Sequence, residues 1–79
     1  MDLELACESR VVGKFRGWER DKIYKLEDGS KWEQVGLLFK YRFWYQPKAK
    51  VWRDESKYYL DVEGMDEQVE VRPWPTLPH

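Results

Sequence analysis

The run FKYRFWYQPKAKVW, residues 39–52, alternates aromatic rings with basic side chains. Proteins that bind single-stranded nucleic acid combine rings, on which bases stack, with a basic groove that follows the backbone. Because every second side chain of a strand shares a face, two neighbouring strands would collect their basic residues and tryptophans on one outer surface. The residues that would form this candidate binding site are Lys40, Arg42, Trp44, Lys48, Lys50 and Trp52.

A purely structural interpretation of the same run is simpler. The rings of Phe39, Tyr41, Phe43 and Tyr45 would fill the core, and the basic residues between them would face water. Lysines on a sheet edge also oppose aggregation. In this interpretation the basic residues have no ligand.

Two tryptophans remain on the outer surface in either interpretation, and they favour a partner. Trp44 and Trp52 fall opposite the expected core positions, and tryptophan is enriched at protein interfaces. A bulge near Pro47 that returns one of them to the core is the competing explanation. We therefore expect a binding or interaction module whose partner is a protein or a second copy of the chain. Single-stranded nucleic acid is the alternative partner.

Catalytic patterns are not evident in the sequence. The only histidine is His79, beside a proline-rich stretch, so a Ser–His or Cys–His pair is not expected. The carboxylate pairs at 54–55 and 66–67 fall in turns, where such residues form local hydrogen bonds, and they lack calcium-loop spacing. The glycines lack the phosphate-loop pattern. We expect no enzymatic activity, catalytic residue, cofactor, metal site or small-molecule substrate.

Composition limits the remaining choices. The chain has 79 residues, 14 basic and 15 acidic, with a formal net charge of −1, which argues against a dedicated duplex-binding domain. Cys7 is the only cysteine, so it can form neither an internal disulfide nor a structural zinc site. A lone cysteine suits a reducing compartment. With neither a signal-like start nor a long apolar stretch, the sequence predicts a cytoplasmic protein without membrane contact.

Apolar residues recur with a period of two, which indicates strands. The predicted strands are residues 10–18, 22–27, 30–35, 38–45, 48–53, 57–63 and 68–72. Short strands with tight turns predict one all-β domain, residues 8–73, folded as a small SH3-like barrel of five to six antiparallel strands. Residues 1–7 form an N-terminal extension that could lengthen the first strand or form a short helix. Residues 74–79 form a proline-rich flexible tail with a PxxP spacing.

The Asp28-Gly29 pair predicts a β-hairpin whose register burial should decide. A loop of three residues, Glu27-Asp28-Gly29, pairs Tyr24 with Trp32, so the large apolar side chains share a face. The predicted core, with Trp18 covering one end, consists of Phe15, Tyr24, Leu26, Trp32, Phe39, Tyr41, Phe43, Val51, Tyr58, Leu60, Val62, Val69 and Val71.

Three motifs carry a likeness to a known group of proteins. They are Gly13-x-Phe15-x-Gly17-Trp18, Tyr24-x-Leu26-x-x-Gly29-x-x-Trp32-x-Gln34, and Tyr59-x-x-Val62-x-Gly64 leading to Val69-x-Val71. The pattern resembles short bacterial proteins of uncharacterised function that form small SH3-like barrels, and it covers residues 8–73. This resemblance implies a fold, but no activity or catalytic residues. Ser30-Lys31 and the proline-rich tail depart from the pattern.

Overall fold

The computed structural model describes residues 3–74, which form an all-β fold. The strands are β1 (Glu4–Arg10), β2 (Lys14–Trp18), β3 (Ile23–Lys25), β4 (Lys31–Gln34), β5 (Lys40–Tyr45), β6 (Lys48–Asp54), β7 (Lys57–Val62) and β8 (Val69–Pro73). All strand pairs are antiparallel, as the sequence predicted. In this part of the chain, a helix with the length and apolar character needed to cross a bilayer is not found.

The strands of residues 3–74 form two separate sheets. The larger has six strands in the order β1-β6-β7-β8-β4-β3, and the smaller pairs β2 with β5. One isolated bridge, between Val11 and Leu26, links the chain after β1 to the chain after β3. Beside it the Val12 N–H donates a 2.9 Å hydrogen bond to the Lys25 carbonyl. Within residues 3–74 the two sheets do not close into a barrel, and the strands number eight instead of five or six.

The β3–β4 hairpin has the predicted register. Tyr24 pairs with Trp32, and the Leu26 N–H donates to the Ser30 carbonyl at 2.9 Å. The loop is therefore residues 27–29, with Gly29 at a φ of 93°. A left-handed conformation suits glycine, which has no Cβ to oppose it. The prediction that burial selects the three-residue loop is confirmed.

The core lies between the larger sheet and β2. Its buried apolar residues are Val11, Phe15, Trp18, Tyr24, Leu26, Trp32, Ala49, Val51, Leu60, Val62, Val69 and Val71. The rings of Phe15, Trp18 and Tyr24 pack with centroids 5.3–6.1 Å apart. Tyr58 is half-buried against Trp32. These positions confirm the core prediction for all strands except β5.

For β5 the core prediction is wrong. Phe39, Tyr41 and Phe43 are 71%, 71% and 51% exposed. The predicted strand 38–45 is present from Lys40 onward. However, the face that turns toward the protein is the one that was predicted to face water. Shifting the register of a strand by one residue moves every side chain to the opposite face. The core already holds four large rings from β2, β3 and β4, and it does not receive those of β5.

The structure defines three element boundaries that the sequence left open or placed differently. The predicted first strand is divided into β1 and β2 by a bend at residues 11–13, where Gly13 has a φ of 69°. Residues 4–7 lengthen the first strand, which was one of the two alternatives for the N-terminal extension, and they pair with β6. At the other end the Trp74 N–H donates to the Lys31 carbonyl at 2.9 Å. Residues 75–79, with the PxxP spacing, lie outside the described residues.

Candidate functional site

The outward side of β5 exposes a row of large aromatic side chains. Its rings belong to Phe39, which directly precedes the strand, and to Tyr41, Phe43 and Tyr45. All four are at least half exposed. We call this set the β5 aromatic face. Leu37, in the segment that leads into it, is also exposed.

Gly17 holds β5 against β2. The β2–β5 register shifts between Phe15 and Gly17, which marks a bulge. At Gly17 φ is 101°, and an added Cβ would overlap the backbone carbonyl of Lys40. Only glycine allows the two backbones to approach this closely. Phe15 and Trp18 anchor β2 in the core, and the bulged ladder holds β5 beside it.

Gln34 fixes the segment that leads into β5. Its side chain is 1% exposed, and its amide nitrogen donates to the carbonyls of Gly36 and Leu38 at 3.0 and 2.8 Å. The Tyr24 hydroxyl donates to its amide oxygen at 2.7 Å. Burial raises the pKa of Tyr24 to about 12, so the hydroxyl keeps its proton. Because each of these buried polar groups has a partner, the network orders residues 36–38.

The inward side of β5 carries its cations, and these are occupied. The Lys40 ammonium lies 3.3 Å from a Glu67 carboxylate oxygen and 3.7 Å from one of Asp66. The Arg42 guanidinium lies 5.3 Å from the centroid of the Trp44 ring, within cation–π range. Carbons of that ring would be 3.7 Å from a Cβ at Gly64. The inward side therefore packs against the β7–β8 loop and stays partly exposed.

The two strands of the small sheet have a distinctive charge. They contain four basic residues and no acidic one, although the whole chain has 14 basic and 15 acidic residues. The rest of the chain therefore has ten basic residues against 15 acidic ones. Lys14 and Arg16 are exposed on either side of buried Phe15, so they share the outward side of β2. Lys14 lies opposite Tyr45 in the ladder.

The six residues predicted as a binding site are divided between the two sheets. Lys40, Arg42 and Trp44 lie on β5, which pairs with β2. The other three lie on β6, which pairs with β1 and β7. The predicted basic patch required the two strands to be neighbours in one sheet. Within residues 3–74, β5 and β6 do not pair, so this patch does not form.

The two lysines of this set on β6 have acidic neighbours. Lys48 and Lys50 line a cleft of about 240 Å³ together with Asp61 and Glu63. The Lys50 ammonium also lies 3.9 Å from a Glu8 carboxylate oxygen and 5.9 Å from the centroid of the Trp52 ring. The Trp52 side chain is half-buried. These charges nearly balance, so this side of β6 offers no concentration of positive charge.

Cys7 lies beside an anion. Its Sγ donates a 2.7 Å hydrogen bond to Asp28 Oδ2 in the β3–β4 loop. Burial, the hydrogen bond and the carboxylate charge together raise the pKa of the Cys7 thiol to about 11. The Asp28 carboxylate also accepts hydrogen bonds from the Ser30 N–H and hydroxyl, at 2.9 and 2.6 Å. The contact holds the loop on β1, and the protonated thiol is a poor nucleophile.

Residues 3–74 bring no three metal-ligating side chains of His, Cys, Asp or Glu together in a group that could hold a metal ion.

Comparisons with known proteins gave no match: no family model fits the chain, and neither a curated protein nor a solved structure is significantly similar. The family resemblance therefore stays a prediction from the three motifs.

Sequence reasoning missed the outward positions of Lys14 and Arg16 and the orientation of β5. Two signals could have indicated the orientation. Leu38 is in phase with Lys40 and packs against the core, and the acidic pair Asp66-Glu67 supplies partners for an inward lysine. Neither signal outweighs four aromatic residues in a pattern-based assignment.

Proposed function

We propose that this chain is a non-enzymatic binding module whose partner docks on the β5 aromatic face. The observation that carries the proposal is the exposure of four large rings, three on β5 and one directly before it. Taking about 200 Å² for a whole aromatic side chain, these rings present roughly 500 Å² of surface. Contiguous apolar patches of this size on a single domain are often functional.

The surface is preorganised for binding. Gly17 fixes the position of β5, and Gln34 orders the segment before it. A surface that is already ordered loses little conformational entropy when a partner docks. Among residues 3–74, β5 pairs only with β2, so its second edge can also accept hydrogen bonds from an added strand.

A protein partner and a second copy of the chain remain the partners that the sequence predicts, with single-stranded nucleic acid as the alternative. Aromatic residues are enriched at protein interfaces and also stack with the bases of single strands, so the β5 aromatic face is compatible with both classes. We also infer that the larger sheet is an opened form of the SH3-like barrel, because the Val11–Leu26 bridge links the chain just after β1 to the chain just after β3, and these are its two outer strands.

Site-specific photocrosslinking in cells that express the chain tests the proposal. Benzoylphenylalanine replaces Tyr41 in one variant and Leu5 in the control variant. Leu5 is exposed on β1 of the other sheet. We expect adducts from position 41 and none from position 5, and nuclease or protease treatment then identifies the class of partner. Equal adduct formation at the two positions, or none at either, contradicts the proposal.

A further inference from the structure

We infer that the partner of the β5 aromatic face is single-stranded nucleic acid, held by the rings of β5 and by Lys14 and Arg16 of β2. This inference rests on the proposed function and names its ligand. It places the ligand on different residues from those that the sequence suggested, since the outward side of the small sheet carries rings from β5 and cations from β2.

Charge favours an anionic ligand at this surface. The small sheet contributes four positive charges and no negative one, while the rest of the chain has five more acidic than basic residues. Lys40 is neutralised by Asp66 and Glu67 on the inward side. Lys14 and Arg16 have no acidic partner within 4.0 Å in the described part of the chain. Two copies docked face to face would bring these cations together, which disfavours a second copy as the ligand.

Ring spacing favours a single strand. Alternate residues of a strand are about 6.8 Å apart, whereas consecutive bases of a duplex strand rise about 3.4 Å. An extended single strand can therefore place successive bases on Phe43 and Tyr45, and Tyr41 lies next along β5, across the irregular stretch of the β2–β5 ladder. Lys14 pairs directly with Tyr45 across the ladder, so its ammonium lies on the side of the rings where the phosphates would pass.

Two available cations imply a weak dependence on salt. Each phosphate neutralised on a single strand contributes about −0.7 to the slope of log affinity against log salt, so two contribute about −1.4. Raising the salt from about 50 to about 200 mM should therefore weaken binding about sevenfold. Stacking, which is insensitive to salt, would supply the remaining affinity.

The test is a fluorescence anisotropy titration of the full chain against labelled oligothymidylate and oligouridylate of about 16 nucleotides. Tyr41→Ser should weaken binding by between fivefold and about 150-fold, the value of one stacked base, and Tyr41→Phe should retain it. The paired substitution Lys14→Gln with Arg16→Gln should remove most of the salt dependence. Lys48→Gln with Lys50→Gln removes two charges from β6, and this matched control should leave binding unchanged.

Four outcomes would overturn the inference. They are no response to either oligonucleotide at low salt, equal losses in the β2 and β6 charge variants, tighter binding of duplex than of single strand, and equally tight binding of an oligoglutamate peptide, which would indicate an acidic protein. If crosslinks from position 41 nevertheless form with protein, the proposed function stands and only its ligand is wrong. Circular dichroism of each variant verifies that these exposed substitutions leave the fold intact.

Discussion

Strand β5 of the small sheet and the strands of the larger sheet have the same alternating pattern and use it in opposite ways. In the six-stranded sheet the apolar side chains of β4, β6, β7 and β8 face the core, as in Val51 and Leu60, which are fully buried. In the two-stranded sheet the apolar phase of β5 faces water, and its basic phase contacts the β7–β8 loop. Alternation therefore shows which residues share a face, but the volume already filled by other strands decides which face is buried.

The largest expected effect tests how β5 is held beside β2. Gly17→Ala should lower the free energy of unfolding by about 4 kcal/mol, because the added Cβ would overlap the Lys40 carbonyl. In addition, the positive φ of residue 17 is strained for alanine. Gly29→Ala is the matched control. Its φ is 93° but the space around it is open, so it should cost only about 1 kcal/mol. Urea unfolding measures both, and equal losses would mean that β5 does not depend on close contact with Gly17.

A second pair of substitutions compares the two sheets directly. Leu60→Ala removes a fully buried side chain from β7 and should cost about 3 kcal/mol. Phe39→Ala removes a larger side chain from the β5 aromatic face and should change stability by less than about 0.5 kcal/mol. Urea unfolding again provides the measurement. A loss above about 2 kcal/mol for Phe39→Ala would place this ring in a core and remove the basis of the proposed binding surface.

Local rules were enough for much of the fold. The β3–β4 register followed from placing Tyr24 and Trp32 on one face, and the structure has that register. The orientation of β5 could not be obtained in this way. It depends on Gly17 and Gln34, which position β5 from other parts of the chain, and on carboxylates of the β7–β8 loop. For the same reason the predicted binding residues were assigned to one surface although β5 and β6 lie in different sheets.

The smallest expected effect concerns the acid stability of the larger sheet. Hydrogen bonds from the Cys7 thiol, and then from Ser30, hold the pKa of Asp28 below its ordinary value of 3.8. A carboxyl group with a lowered pKa in the folded state contributes stability above its unfolded pKa and loses it as the pH falls through the folded value. The contribution should therefore decline progressively as the pH falls below about 4. Because Asp28 is exposed to solvent screening, we expect less than about 1 kcal/mol.

Asp28→Asn provides the control for this effect, since it keeps the shape of the side chain and removes its titration. The wild type should lose more stability than Asp28→Asn between about pH 6 and pH 3 in urea unfolding. In the wild type, hydrogen exchange should show that the amides of Asp28 and Ser30 open more readily at about pH 3 than at about pH 6. These amides donate to the Ser9 hydroxyl on β1 and to the Asp28 carboxylate. Amides of β5 should be unaffected, because that strand is held by β2 and by Gln34. If the wild type and Asp28→Asn lose the same stability on acidification, the effect belongs to other carboxylates. Faster exchange in β5 would show that the two sheets open together.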